Sequence, residues 1–152
     1  MSKKRIVFLI FAILWMILIF YFSAQTAEES TGQSDSVSYM IGSIIYKDFN
    51  TWPDLRKAEF ADSLSSFVRK AAHMTEYGIL AALWYNAIGT VWIAFVITVA
   101  YAATDEFHQL FVEGRTGKVG DVLIDAGGAL IACAIILIVR HLIKRNLPKG
   151  ER

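Results

Sequence analysis

With a single cysteine, Cys133, the chain can form no intrachain disulfide, cysteine zinc cluster or CxxC redox pair. Its place in an apolar run reads as that of a small packing residue. Net charge is equally sparse, +1 over 152 residues, which gives no reason to expect a nucleic-acid partner. Several catalytic signatures are also missing: there is no H-E-x-x-H zinc-protease motif, no Gly-rich phosphate loop and no G-x-S-x-G nucleophile elbow. Of only two prolines, Pro53 stands where a first helical turn would accept it.

Apolar sequence is abundant, at 55% hydrophobic, and it is gathered into blocks. The clearest, residues 6–22, carries no charge and is long enough to cross a bilayer. A secretory signal would share its basic start, Lys3-Lys4-Arg5, and Ser23-Ala24-Gln25 is a weak match to a cleavage site. Three further apolar blocks favour a retained anchor. The expected fold is all-α: one domain over 1–152, a polytopic membrane bundle of about four transmembrane helices near 6–22, 67–88, 91–112 and 119–139.

Residues 23–65 are expected to form a loop outside the bilayer. Within it Val37, Met40, Ile41, Ile44, Ile45 and Phe49 recur at helical spacing behind the capping candidates Ser34, Asp35 and Ser36. This predicts an extracytoplasmic amphipathic helix that covers the bundle or lies in the interface to admit a lipid. Another helix is expected to start near Pro53 and run into the second span.

Basic residues set the orientation. Lys3, Lys4 and Arg5 precede the first span, and Arg140, Lys144, Arg145 and Lys149 follow the last, so both termini are expected in the cytoplasm of a multi-pass cell-membrane protein. The link at 86–90 would be cytoplasmic although it has no Lys or Arg. The polar ends of spans two, three and four then meet at one level. At 1.5 Å per residue, Glu76 lies roughly 18 Å, and Asp105 and Asp125 roughly 21 Å, from the cytoplasmic ends of their spans. In a core about 30 Å thick they fall in the outer leaflet, where facing lipid would cost each up to about 3 kcal/mol, so they should face a protected cavity.

Spacing supports such a face. Arg69, His73 and Glu76 follow i, i+4, i+7, as do Asp121, Asp125 and Gly128, with Gly127 and Gly128 permitting close helix approach. Tyr101, Asp105, His108 and Gln109 share a broad face, from which Glu106 is turned by about 100°. His73, Glu76, Asp105, His108, Asp121 and Asp125 make a nitrogen and oxygen set compatible with zinc, manganese or magnesium, though no metal or other cofactor is assigned. Arg115, in the Gly114-Arg115-Thr116-Gly117 turn, would either clamp an anion or pair with Glu113.

The segments RKAAHMTEYGILA and YAATDEFHQLFVEGRTGKVGDVLIDAGGALI, with FYFSAQ at the end of the first span, resemble the VanZ-like family of membrane proteins. The order RK-x-x-H-x-x-E-Y-G, D-E-x-H-Q, G-R-x-G and D-x-x-x-D carries the likeness. It implies a small helical membrane domain and a link to teicoplanin-type glycopeptide resistance, without supplying a reaction. Carried over by motif, the positions expected to matter are Arg69, Lys70, His73, Glu76, Tyr77, Asp105, Glu106, His108, Gln109, Arg115, Asp121 and Asp125.

Mixed charge narrows the chemistry. Arg69, Lys70 and Arg115 suit a phosphate or carboxylate, while Glu76, Asp105 or His108 would act as acid or base. The expected ligand is an anionic membrane lipid or lipid-linked envelope precursor. Against it stands a buried ion network of Arg69, Lys70, Glu76, Asp105 and Asp125, although so many polar groups exceed what a short bundle needs for packing. A non-catalytic protein that alters drug access or partners another envelope complex is the competing class. A transporter would need a dimer, since four short spans leave little room for alternating access; no oligomeric state is assigned.

The topology is open to a direct test. Cysteines introduced singly at Ser34 and Thr116 should react with an impermeant thiol reagent in intact cells, and labelling only after lysis would invert the orientation.

Overall fold

The computed structural model describes residues 1–146; Lys149, counted above among the basic residues, lies outside them. Five α-helices follow in order: α1 (Lys3–Ser23), α2 (Ala27–Ile45), α3 (Asp54–Ile88), α4 (Val91–Gln109) and α5 (Val119–Asn146). A short 3-10 turn, Phe49–Thr51, separates α2 from α3, and no strand occurs among the described residues. The all-α expectation therefore holds. So does the helix that begins after Pro53: α3 runs 35 residues without a break into the expected second span.

Local chemistry explains where α2 departs from expectation. It begins two turns before Ser34, at a capping box in which Glu29 N donates to Thr26 Oγ1 (3.2 Å) and Thr26 N donates to Glu29 Oε2 (2.8 Å). Its inward face is also not the apolar one. Ser30, Ser34, Ser38 and Gly42 are buried at i, i+4 spacing, and α2 packs on α3, whose Ala61 and Ser65 are buried in turn. Small residues let two helix backbones approach closely. Ser34 and Ser38 return their hydroxyls to the carbonyls of Ser30 (3.0 Å) and Ser34 (2.8 Å), so burying them leaves no donor unmet. Of the expected apolar stripe, only Phe49 is buried, against Trp52 and Phe60; Val37, Met40, Ile44 and Ile45 stay exposed.

Helix α3 is the axis of the fold, in contact with α1, α2, α4 and α5. Ile19, Tyr77, Leu80 and Ala102 join α1, α3 and α4 in one core, while Ala81, Val91, Ala129 and Cys133 join α3, α4 and α5 in another. Two side chains tie α1 across: Trp15 Nε1 donates to the Glu76 carbonyl (2.9 Å) and the Tyr101 hydroxyl donates to the Met16 carbonyl (2.6 Å). On α5, Gly128 is buried, and a Cβ there would collide with the Met74 carbonyl of α3. Gly127, expected to share that role, faces open space.

Only α1 and α5 are long and apolar enough to cross a membrane by length and composition, so this criterion supports two of the four expected spans. The charged and polar residues of 69–76 in α3 and 105–109 in α4 dilute the other two. Only 17% of the apolar window of α1 and 22% of that of α5 is buried. A core helix of a soluble protein would be mostly covered; these two instead turn wide apolar surfaces outward, as a membrane protein does.

Ser34 is a poor labelling position because it is buried, and exposed Ser36 replaces it in the topology test. The two glycines of α5 should also behave oppositely. Gly128→Ala is expected to destabilise by about 1–3 kcal/mol through overpacking, whereas Gly127→Ala should be neutral or gain roughly 0.5–1 kcal/mol in helix propensity. Thermal unfolding of the purified proteins in detergent would measure both.

Candidate functional site

The polar segments of four helices meet at one end of the bundle. The end of α1 supplies Ser23, the middle of α3 Arg69 to Glu76, the end of α4 Asp105 to Gln109, and the start of α5 Asp121 and Asp125. Gln109 Nε2 donates to Ser23 Oγ (3.1 Å) and stands 3.5 Å from Asp105 Oδ2, so α4 is tied to α1 beneath the site. Glu106 Oε2 accepts from the Lys118 backbone N–H (2.9 Å), holding the first residue before α5 against α4. His73 Nδ1 lies 3.7 Å from Asp125 Oδ1, in ion-pair range but too long for a hydrogen bond. Asp125 is 1% exposed, and neither of its oxygens has a hydrogen-bond partner.

The loop between α4 and α5 is fastened to the α1–α2 junction. Gly114 takes a left-handed φ of 71°, which turns the chain so that Arg115 points back. Arg115 Nε donates to the Gln25 carbonyl (2.8 Å) and its Nη2 to the Phe22 carbonyl (3.2 Å), while Ala27 N donates to the Glu113 carbonyl (3.1 Å). Arg115 thus caps the negative end of α1 instead of pairing with Glu113. Burial, and then the nearby Arg69, pushes its guanidinium below its ordinary pKa.

Two cavities open between these elements. The larger, about 280 Å³, is lined by the cationic side chains of Arg69, Lys70, Arg115 and Lys118, by Glu106, Asp121 and Asp125, and by His73 and Gln109. The smaller, about 180 Å³, lies among α1, α2 and α3 and includes Glu76. Arg69, His73 and Arg115 line both and so form the wall between them.

Most of the sequence-derived set therefore borders a cavity, but three members do not. Tyr77 is fully buried in the core beside Leu80. Asp105 is buried against Gln109 and lines neither cavity. His108 stacks on Phe20 with ring centroids 4.5 Å apart and also lines neither. Glu106, which spacing turned away from Asp105, does reach the larger cavity. Thr31 was missed: its Oγ1 accepts from Arg69 Nη2 at 2.9 Å. The signal for it lay in the buried Ser30-Ser34-Ser38 spacing that presses α2 on α3. Among the described residues, no three His, Cys, Asp or Glu side chains gather as metal ligands, so the sequence-based metal set has no geometric support.

A helical membrane protein with a charge-lined cavity at one end of its bundle is the class these features define. The chain belongs to the VanZ/LLP1 family, whose model matches residues 8–140 and so takes in every site residue named above. No curated protein and no solved structure matches it.

Replacing Arg115 should loosen the site as a whole. Arg115→Ala is expected to cost about 2 kcal/mol, the worth of hydrogen bonds from a charged donor to two carbonyls at a half-buried position. Arg115→Lys should recover only part of that, because an ammonium cannot fork between Phe22 and Gln25. Unfolding midpoints in detergent measure the order; equal values for all three proteins would mean the clamp contributes nothing.

Proposed function

We propose that the chain is a single membrane domain in which α1, α3, α4 and α5 cross the bilayer, with both termini cytoplasmic. Its larger cavity lies in the extracytoplasmic half and binds an anionic lipid or lipid-linked envelope precursor. Through that ligand the protein takes part in resistance to teicoplanin-type glycopeptides. The observation that carries the reading is an absence of pairing. Among the described residues, Arg69, Lys70 and Arg115 make no ion pair within 4.0 Å of a carboxylate, although all three share a cavity with Glu106, Asp121 and Asp125. Arg69 and Arg115 are instead hydrogen-bonded to neutral oxygens and Lys70 is exposed, whereas a structural ion network would tie its cations to the acids beside them. Open cations around a cavity suit a phosphate or carboxylate.

His73, 3.7 Å from buried Asp125 and on the cavity wall, would move a proton at that anion in the enzymatic version of this reading. Processing of the headgroup by hydrolysis or transfer would use it together with the acids of the same cavity. The competing class is a non-catalytic protein that alters drug access or partners another envelope complex, with no turnover.

Single substitutions separate ligand site from packing. Arg69→Met, His73→Gln and Asp125→Asn should remove the effect on teicoplanin susceptibility while membrane abundance stays near wild type. A structural pair behaves otherwise: losing one partner costs about 3–5 kcal/mol and depletes the protein, and neutralising both restores it. Recovery of abundance and activity together in His73→Gln with Asp125→Asn, the pair in contact, would refute the ligand site. Turnover of a purified lipid would distinguish the enzyme from the non-catalytic protein.

A further inference from the structure

The second cavity differs from the first in what surrounds it. The acids of α4 and α5 that line the larger space, Glu106, Asp121 and Asp125, do not reach the smaller one. Phe22 of α1, Val37 of α2, and Val68 and Ala72 of α3 form its apolar wall, beside polar Ser23, Gln25, Ser30 and Gln33. Ser34, also on this wall, spends its hydroxyl on the Ser30 carbonyl and so presents little polarity. Glu76 is the one carboxyl here, a turn beyond His73 on α3. Helices α1 and α2 both pack on α3 and touch each other little, and Val37 and Ala72 at the rim are exposed, so the space opens sideways between the helices.

Charge is distributed in the same order. Arg69 and Arg115 stand on the shared wall, each with N–H groups left over: Arg69 gives Nη2 to Thr31 while its buried Nε has no partner, and Arg115 uses two of its five donors. Both guanidiniums border both cavities, and an anion between them would relieve their mutual repulsion. On the far side, the carboxyl oxygens of Glu106, Asp121 and Asp125 offer acceptors for hydroxyl or amine donors. At about 280 and 180 Å³, neither cavity alone reaches the roughly 300–1,000 Å³ of small-molecule pockets, whereas the two joined do.

We infer that the two cavities are one site for a phosphodiester lipid, with its phosphate between Arg69 and Arg115, a hydroxyl- or amine-bearing headgroup in the acid-lined cavity, and the start of a hydrocarbon chain in the cavity of Val37, Val68 and Ala72. This rests on the lipid reading above and gives the ligand a direction: chain toward α1 and α2, headgroup toward α4 and α5.

Native mass spectrometry of the full chain released from detergent tests it with three probes. Dioleoyl phosphatidylglycerol should bind. Dioleoyl phosphatidic acid, which lacks the headgroup donors, should bind at least about tenfold more weakly, the loss expected for unmade hydrogen bonds to charged acceptors. Glycerophosphoglycerol, the same headgroup without chains, should compete only at far higher concentration. Ala72→Trp and Val37→Trp, on different helices and at exposed positions, should each weaken phosphatidylglycerol about tenfold or more by filling the chain cavity, and leave glycerophosphoglycerol unchanged. If neither tryptophan alters lipid affinity, the chain placement is overturned while lipid recognition stands. Equal affinity for phosphatidic acid overturns the headgroup placement. Failure of wild type to bind either lipid overturns this inference and the proposed ligand class together.

Discussion

Where α5 crosses α3, the space that a side chain at residue 128 would need is taken by the Met74 carbonyl, and Gly78 lies against the Gly128 carbonyl in return, 3.2 Å from where its own Cβ would stand. Contact between backbones rather than side chains sets the separation of the two helices. That separation in turn decides what neighbours what. His73 precedes Met74 and Asp125 precedes Gly128 by less than a turn, so the approach that seats the glycine also brings imidazole and carboxylate to 3.7 Å. A bulkier contact would widen the bundle at the level of the site and part them. Because small residues give up apolar area, this close packing must draw on dispersion and on the surrounding medium, as it does between helices in lipid.

Much of the architecture was legible because it is written in long apolar runs and in helix punctuation. The outer helices α1 and α5 declared themselves by composition, and Pro53 marked the start of α3. Residues 69–76 and 121–128 announced a common polar face through spacing alone. Helix α2 was misread for a physical reason. Pattern analysis assigns apolar residues to the inside and serine to the outside, a rule that assumes water around the protein and side-chain packing within it. On α2 the serines lie inward because they are small and satisfy their own hydroxyls, while Met40 and Ile44 face outward. Thr26 and Glu29 held the correct helix start, but the capping box stood in a stretch already assigned to loop.

Which polar residues gather at one end of the bundle was legible, and how they face one another was less so. Helical spacing places residues on faces, and faces do not say which neighbour they meet. Arg115 could not be assigned its true partners because the carbonyls of Phe22 and Gln25 have no signature in side-chain sequence. For His108 the decisive neighbour was a ring, Phe20, some ninety residues away, and stacking on it turns the imidazole from the cavity. Asp105 and Glu106, both expected at the site, part company: the first is buried with Gln109, the second borders the cavity and is tied to Lys118.

Helix α3 extends over 35 residues, about 52 Å at 1.5 Å per residue, well beyond a hydrocarbon core of about 30 Å. From Asp54 to His73 it contains neither glycine nor proline, the usual sites of a bend. Its first half, braced by α2 and capped by the ring cluster of Phe49, Trp52 and Phe60, is therefore a stiff rod that ends at the middle of the helix, where Arg69 and His73 stand. A push on the aromatic tip does not dissipate in a hinge. The aromatic tip and the cavity wall are two points on one unbroken lever.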